Sequence, residues 1–289
     1  MYTVMGATGR VGSRVAQILL ASGHEVRVVV RDGSRAAASG DAGAEVVQAD
    51  LADRDALTEA LRGSRGAFAM LPFDLGAADP DRHARRLGDA IADAVAASGV
   101  EAVTMLSSIG AELVEGTGPI VGLHHLEERL RASGAVLSAI RASFFQEGVG
   151  DVLEVARADR IYPVFGLADA PVAMNATRDI ARVAADTLMT PPPKHDTIVL
   201  DGPVYTEREV AGLLGEGLGT DLTVVELPRD AWHDTLIEAG FPPQAARSLE
   251  GLYDAAARGV LVPRGDRTVT VTTPMSTTIE SLVGVAVGA

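Results

Sequence analysis

The chain has 289 residues, of which 47% are hydrophobic and 22% charged, and its formal net charge is −14 at pH 7. This length is sufficient for one large α/β domain or for a nucleotide-binding domain with a smaller attachment. No apolar run reaches the roughly 18 residues of a membrane-spanning helix, so no membrane segment is predicted. A strand-like segment already begins at Tyr2, which leaves no room for a leader peptide and predicts a cytoplasmic protein.

The residue inventory excludes several kinds of site. The chain has no cysteine, which excludes disulfides, thiolate metal ligands and a cysteine nucleophile, and no metal site is expected. Lys194 is the only lysine among 25 basic residues, so it is the single candidate for any role that needs an ammonium group. The negative net charge opposes attraction to phosphate backbones, and direct nucleic-acid binding is therefore not expected.

The first half of the chain alternates short β-branched runs with longer segments rich in Ala and Leu. This pattern is typical of a parallel sheet covered by helices. Strands are predicted at residues 2–5, 26–30, 45–48, 67–71, 102–106 and 136–140. Helices are predicted at residues 11–22, 55–61, 79–98 and 119–133. Six strands connected in this way predict a doubly wound parallel sheet of the Rossmann type.

After about residue 150 the pattern changes to that of an α+β structure. The helix that begins at Thr206 carries a capping-box pattern with Glu209. Strand-like segments cover residues 160–175, 197–200 and 222–226, and further helices are predicted near residues 177–189, 229–239 and 243–257. We therefore expect a Rossmann domain at residues 1–150 and a smaller α+β subdomain at residues 151–289.

A glycine-rich turn lies between the first predicted strand and the first predicted helix. In a dinucleotide-binding turn, one glycine allows the bend, one admits the pyrophosphate, and one lets the helix pack closely on the strand. The helix N-terminus then offers free N–H groups to the phosphates. The sequence predicts a dinucleotide site here, although such a glycine-rich turn can also simply connect a strand to a helix. Its residues are Gly6, Ala7, Thr8, Gly9, Arg10, Val11 and Gly12.

The end of the second strand bears on the choice of cofactor. NAD sites place an Asp or Glu about 20 residues past the glycines, on the ribose 2′-hydroxyl, whereas a nearby Arg accommodates a 2′-phosphate. Here the strand ends at Arg31, and Arg10 offers a second guanidinium. We therefore expect NADP(H). Asp32 keeps NAD(H) possible, and Arg31 and Asp32 could instead be solvated loop charges.

Two more segments lie where strands of the predicted sheet end. Asp50 and Leu51 follow the third strand, and Leu71 and Pro72 follow the fourth. Because the carboxyl ends of parallel strands line the ligand crevice, we expect these residues near the adenine and the linking riboses. Asp50 could equally be the N-cap of the next helix.

With these segments the chain resembles the NmrA-like family of atypical short-chain dehydrogenases. Its members include NAD(P)H-dependent quinone reductases, isoflavone-type reductases and cofactor-sensing regulators. The resemblance covers nearly the whole chain, and Ala142 departs from it because the family usually has a proline there. It is carried by residues 6–12, 28–31, 107–108, 130–134, 140–145 and 179–181.

The resemblance also implies roles for residues at the ends of the last predicted strands. Ser107 would contact the cofactor, and Ser143, Phe144 and Phe145 would lie near the nicotinamide and the substrate. The two phenylalanines could instead be core aromatics at a strand end. By the same resemblance, the second half of the chain would cover the substrate.

The acid of ordinary short-chain dehydrogenases is missing. Those enzymes carry a Tyr and a Lys four residues apart on the helix after the fifth strand, where the Lys lowers the pKa of the Tyr. When the helix is aligned on Glu127, these positions hold Pro119 and Leu123. We expect His124 and His125 as the catalytic replacements, since a histidine exchanges protons near neutral pH. Alternatively, the pair lies on a solvated helix face.

The leading hypothesis is an NADP(H)-dependent oxidoreductase that passes hydride to a small, quinone-like or aromatic acceptor. Such a transfer needs little help from a positioned acid because the cofactor carries the chemistry. One alternative is a catalytically silent NADP(H)-sensing regulator, whose acidic surface favours a basic protein partner. Another is a non-redox biosynthetic enzyme on the same fold. The oligomeric state is open, and a homodimer is possible.

Overall fold

The computed structural model describes residues 1–74 and 76–287 of the chain. Three short 3-10 segments, Gly33–Ala36, Gln146–Val152 and Arg229–Ala231, interrupt the regular elements. The strands are β1 (Tyr2–Met5), β2 (Val26–Val30), β3 (Glu45–Gln48), β4 (Gly66–Ala69), β5 (Ala102–Ser108), β6 (Val136–Ala142), β7 (Phe144–Phe145), β8 (Ile161–Val164), β9 (Val172–Asn175), β10 (Asp196–Asp201), β11 (Val204–Tyr205), β12 (Thr223–Glu226) and β13 (Arg267–Thr270).

Helices cover both faces of the sheet that most of these strands form. They are α1 (Arg10–Ala21), α2 (Ala37–Asp41), α3 (Arg54–Leu61), α4 (Pro80–Ser98), α5 (Ile120–Arg131), α6 (Leu153–Asp159), α7 (Thr177–Met189), α8 (Glu207–Leu218), α9 (Trp232–Glu238), α10 (Pro243–Ala257) and α11 (Met275–Val287). Among the described helices, none is long and apolar enough to cross a membrane.

The large sheet has eight strands in the order β13-β10-β6-β5-β4-β1-β2-β3, and every pair is parallel. This arrangement confirms the predicted doubly wound fold. After β3 the chain crosses back to β4, so the direction of winding reverses between β1 and β4. In such sheets a ligand crevice lies outside the carboxyl ends of the strands at this reversal.

The central strands of this sheet are buried on both sides because each side packs against helices, whereas β3 and β13 at its edges are mostly exposed. Val4 and Phe68 are fully buried on the side of α1 and α7, and Met5 and Val103 are buried on the side of α3, α4 and α5. Because successive side chains of a strand point to opposite faces of the sheet, this one sheet contributes to two hydrophobic cores. The point where the winding direction reverses, between β1 and β4, lies at the middle of both cores.

The sheet extends beyond the six strands that the sequence predicts. β10 pairs with β6 and β13 pairs with β10, so two segments of the second half complete its edge. The apolar run of β10 was recognised as a strand, but its partner is not local in sequence. β13 is a short, mostly exposed edge strand whose pattern carries little signal. The division of the chain at residue 150 stays a prediction.

The second half also builds a smaller α+β core of its own. β8 pairs with β12, and β9 lies between β7 and β11. Tyr162, Met174, Leu214 and Ile279 are buried together against α8 and α11. A smaller unit thus stands beside the carboxyl edge of the large sheet, since β7 directly follows β6 in the chain.

Candidate functional site

The glycine turn bends the chain tightly from β1 into α1. Gly6 has a φ of +66°, a left-handed conformation that favours glycine, and its carbonyl oxygen accepts a 3.0 Å hydrogen bond from the Gly9 N–H. A Cβ atom on Gly12 would lie 2.3 Å from this oxygen. Gly9 caps α1 without any side-chain hydrogen bond, so the first N–H groups of the helix stay open to an anion. Thr8 in this turn is exposed, and Val11 in the first turn of α1 is buried.

The end of β2 presents two arginines and a carboxylate that is already engaged. The Asp32 Oδ1 atom accepts hydrogen bonds from the Ser34 hydroxyl at 2.7 Å and the Ser34 N–H at 3.0 Å. These two bonds lower the pKa of Asp32 below its usual value. Arg31 and Arg35 are exposed, and neither side chain has a hydrogen bond or ion-pair partner among the described residues. The guanidinium groups are therefore available, whereas one carboxylate oxygen is committed.

Asp50 does not cap the helix that follows it, so that alternative is wrong. The N-cap of α3 is Asp53, whose side chain accepts from the Ala56 N–H at 3.0 Å. Asp50 instead accepts from the Ala52 N–H at 2.9 Å, in a turn that keeps its carboxylate exposed at the edge of the sheet. Leu51 is buried in the core on the side of α3.

Arg10 extends from the glycine turn toward the second half of the chain. Its guanidinium donates to the Glu147 carbonyl oxygen at 3.3 Å and lies 3.8 Å from the Asp151 carboxylate. The side chain thus connects the start of α1 to the segment after β7. A role for Arg10 beside Arg31 at a 2′-phosphate stays a prediction.

The residues after β4 and β6 lie at the carboxyl edge of the sheet. Leu71 packs against α5, where a Cβ on Gly122 would lie 3.0 Å from its Cδ2 atom, and Pro72 beside it is half-buried. Phe144 is half-buried against the smaller core, whereas Phe145 is 38% exposed. The Ser143 N–H between the strands donates to Asn175 Oδ1 at 2.7 Å. This bond ties the end of β6 to the second half.

A buried polar network, which the sequence did not reveal, lies below the carboxyl ends of β5 and β6. Glu127 is only 2% exposed. Its Oε1 atom accepts from the Ser107 hydroxyl at 2.6 Å and from Arg141 Nε at 3.0 Å, while Oε2 accepts from Arg141 Nη2 at 2.8 Å. The Ser107 hydroxyl is therefore committed to Glu127, and its predicted cofactor contact stays a prediction.

Arg141 connects this network to two other segments. Its Nη1 atom donates to the Glu112 carboxylate at 2.8 Å and to the Arg264 carbonyl oxygen at 3.0 Å. Burial alone would lower the pKa of Arg141, but the hydrogen bonds and charge of Glu127, together with Glu112 and Asp266, outweigh it and raise the pKa. The sequence feature that could have predicted this network is the arginine within the mostly apolar strand β6, because a buried arginine requires a buried partner.

The two histidines point in different directions from α5. His124 forms a 2.8 Å hydrogen bond through Nδ1 with the Ala111 carbonyl oxygen, in the loop that follows β5. His125 instead bonds through Nε2 to Asp89 on α4 at 2.9 Å. Consecutive helical residues diverge in this way because each step turns the side chain by about 100°. Only His124 thus faces the loop that borders the crevice.

The loop between β5 and α5 is covered by the second half. A Cβ atom on Gly118 would lie 2.1 Å from the Ser248 carbonyl oxygen in α10, and Gly118 has a φ of +56°. Pro119, at the position of the missing tyrosine, directly follows this contact and is the N-cap of α5. The loop after β5 therefore packs directly on α10 of the second half.

Comparison with known families decides the classification. The model of the NmrA-like family matches residues 2–259. The chain belongs to the NmrA-like family. The predicted resemblance is therefore confirmed.

Curated relatives span nearly the same length as this member of the NmrA-like family. An NAD(P)H azoreductase of Xenophilus azovorans is 26% identical over 259 residues, which cover 89% of this chain and 87% of that protein. Quinone oxidoreductase 2 of Escherichia coli strain K12 is 26% identical over 270 residues, 90% of each chain. Their names agree with the predicted class of oxidoreductases.

Solved structures share the fold of this NmrA-like chain. The Citrobacter sp. triphenylmethane reductase complexed with NADP(H) superposes with a TM-score of 0.82 at 20% identity, over 98% of this chain and all (100%) of that one. An NADPH-dependent quinone oxidoreductase from Escherichia coli complexed with NADPH gives a TM-score of 0.76 at 24% identity, over 98% of this chain and 95% of that one.

Replacing Gly12 should disrupt the turn. We expect Gly12→Ala to lower the free energy of unfolding by about 1–3 kcal/mol because its Cβ displaces the Gly6 carbonyl group. Urea denaturation followed by circular dichroism measures the change. Gly212→Ala in α8 is the control, since no atom lies within 4 Å of its Cβ. If the two variants were equally stable, the turn would be able to accommodate a Cβ atom at position 12, contrary to this prediction.

Removing Arg141 should leave Glu127 as an uncompensated buried charge. We expect Arg141→Ala to cost about 3 kcal/mol of unfolding free energy, at the low end for buried pairs because Arg131 still lies 3.8 Å from Glu127. Arg129→Ala removes a half-buried arginine on the α5 helix of Glu127 that bridges Asp89 and Asp93 near the surface, and should cost less than about 1 kcal/mol. Similar losses in chemical denaturation would contradict the assigned burial.

Proposed function

We propose that this chain is an NADP(H)-dependent oxidoreductase that passes hydride to a small, quinone-like or aromatic acceptor. The observation that carries the proposal is the uncapped start of α1 above the Gly6 and Gly12 contact, at the reversal point of the sheet. Backbone N–H groups at such a place suit a pyrophosphate. The names of the relatives, an azoreductase and a quinone oxidoreductase, support the reaction class.

The end of β2 supports NADP(H) rather than NAD(H). Exposed Arg31 and Arg35 offer charge-assisted hydrogen bonds to a 2′-phosphate, and the Ser34 hydroxyl already binds Asp32. An Asp32 that holds Ser34 is less free to accept from a ribose 2′-hydroxyl. Both solved structures described above carry the phosphorylated cofactor, which agrees with this preference.

The other predicted contacts follow the course of a dinucleotide along the carboxyl edge. We propose that exposed Asp50 and the neighbouring Leu51 border the adenosine. Leu71 and Pro72 would border the linking riboses, and Phe144 the nicotinamide end. Their positions after β3, β4 and β6 support this order, because the edge runs through the reversal between β1 and β4. Arg10, in the glycine turn, would add its guanidinium to the phosphates of the cofactor.

Proton transfer to the reduced acceptor would fall to His124. Bound NADPH supplies the hydride, and the protein has to orient the acceptor and provide a proton. His124 faces the loop after β5, and its Nδ1–H donates to the Ala111 carbonyl oxygen. The ring would give a proton from Nε2 to the acceptor oxygen while in the imidazolium form, and would then take a proton back from water. His125 is held by Asp89 and would position α5 against α4. A cytoplasmic location and a homodimer stay predictions.

One experiment tests binding and turnover separately. Purified protein is titrated with NADPH and NADH by calorimetry, and the reduced-nicotinamide absorbance is then followed with a panel of quinones. We expect tighter binding of NADPH and oxidation that depends on the quinone. Binding without oxidation would contradict the reductase and favour the regulator that contacts a basic partner. Absence of binding would favour a non-redox enzyme on this fold.

Replacing Arg31 should separate the two cofactors. We expect Arg31→Ala to weaken NADPH about tenfold, the loss of one charge-assisted hydrogen bond, and to change NADH little. Calorimetric dissociation constants measure both effects. Arg65→Ala is the matched control because Arg65 is equally exposed but precedes β4, at the opposite edge of the sheet. The preference is wrong if Arg31→Ala weakens both cofactors equally.

Replacing the two histidines one at a time should assign the proton donor. We expect His124→Ala to lower kcat for quinone reduction by about 10²-fold, the low end for a general acid, with little change in NADPH affinity. His125→Ala should retain near-normal kcat, because its ring bonds to Asp89. Steady-state rates between pH 5 and 9 measure both variants, and an unchanged pH profile in His124→Ala would remove His124 from the chemistry.

A further inference from the structure

A second polar groove lies on the side of α1 that faces away from β2. It has a volume of about 320 Å³ and is formed by the outer face of α1, the start of α7 and one face of α11. The cofactor crevice, in contrast, runs along the carboxyl edge of the sheet toward Arg31 at the end of β2. The groove therefore opens beside the dinucleotide site without including its adenosine end.

Three arginines converge on this groove, in a protein whose net charge is −14. Arg10 and Arg14 lie one turn apart on α1, and Arg178 faces them from α7. Arg10 has an acidic neighbour, the exposed Asp151, at 3.8 Å. Arg14 and Arg178 are half-buried, and neither has an ion-pair or side-chain hydrogen-bond partner within residues 1–74 and 76–287. Partly buried guanidinium groups without partners are costly unless an anion joins them.

The single carboxylate in the lining does not supply that anion. Glu147 is 8% exposed, and both its oxygens accept from the Thr177 N–H at 3.0 Å, with a further bond from the Thr177 hydroxyl. This carboxylate caps the start of α7 and is already satisfied by it. The amino end of α7 is thereby occupied as well, so the charge of the groove comes from the arginine side chains.

The remaining lining consists of hydrogen-bond donors of the kind that oxyanions accept. Ser13 on α1 and Thr278 and Ser281 on α11 place hydroxyl groups around the arginines. Thr278 donates its own proton to Gln146 Oε1 at 2.6 Å, which leaves Ser13 and Ser281 as the free hydroxyls. Guanidinium groups bind phosphoryl oxygens through paired hydrogen bonds, and hydroxyls complete the shell.

We propose that Arg14 and Arg178 in this groove bind a small phosphorylated anion, separate from the dinucleotide, to which Arg10 is left. The ligand carries at least two negative charges, since Arg14 and Arg178 both need a partner. Pyrophosphate is the probe of this chemistry, and inorganic phosphate tests whether a single phosphoryl group is sufficient. The proposal does not depend on the redox activity, because none of the groups that it uses transfers hydride or a proton.

Calorimetry with pyrophosphate, in the absence and in the presence of saturating NADPH, tests the proposal. We expect pyrophosphate to bind the NADPH complex as well as the free protein. Arg14→Ala/Arg178→Ala should weaken that binding by about tenfold or more, the loss of at least one charge-assisted contact. Arg182→Ala is the matched control on α7 because Arg182 is exposed and pairs with Asp179 at 3.9 Å. It should leave the affinity unchanged.

Three results would overturn the proposal. One is loss of pyrophosphate binding when NADPH saturates the protein, which would assign the anion to the cofactor site. Another is an equal effect of Arg182→Ala, which would indicate general charge attraction. The third is an unchanged affinity in the double variant. Arg14→Gln/Arg178→Gln keeps most of the side-chain volume, so it repeats the test if the alanine variant loses its circular dichroism signal.

Discussion

The carbonyl oxygen of Gly6 and the Cα atom of Gly12 approach so closely that no side chain fits between them. This contact determines where α1 begins and how tightly it packs on β1, because the helix has to start within a single turn of the strand end. The position of α1 then sets two further features. Its uncapped first turn faces the carboxyl edge of the sheet, and its outer face meets α7 and α11.

The site combines an ordinary dinucleotide crevice with an unusual interior. Where short-chain dehydrogenases carry a Tyr and a Lys on the helix after the fifth strand, this chain has Pro119 and Leu123. Glu127, one turn further along the same helix, forms a buried ion pair with Arg141 on β6, and Arg141 also holds Glu112 in the loop after β5. This network ties α5 and the loop after β5 to the end of β6. Oxidoreductase chemistry that depends mainly on orientation suits this interior.

The two adjacent histidines have different surroundings once the helix α5 is formed. Because they are adjacent in the sequence, both were predicted to replace the catalytic acid. On α5 their side chains diverge, so His124 reaches the loop beside the crevice and His125 reaches Asp89 on α4. Asp50 and Asp53 likewise differ in their roles, because only Asp53 has the backbone geometry that caps α3. Choosing between adjacent polar residues requires the local backbone, which spacing alone does not define.

The sequence by itself determined the six strands β1 to β6, the helices α1, α3, α4 and α5 between them, the glycine turn, Arg31 after β2 and the NmrA-like resemblance. It did not predict the short α2 and β7. The features that were predicted are local: each depends on residues within one strand, helix or turn, whose periodicity and special backbone positions can be read in a short window. Tertiary structure alone decided that β10 and β13 complete the sheet, that Arg141 finds Glu127, and that three arginines from α1 and α7 share one groove. Those contacts join residues far apart in the chain, and only the packing of the folded protein brings them together.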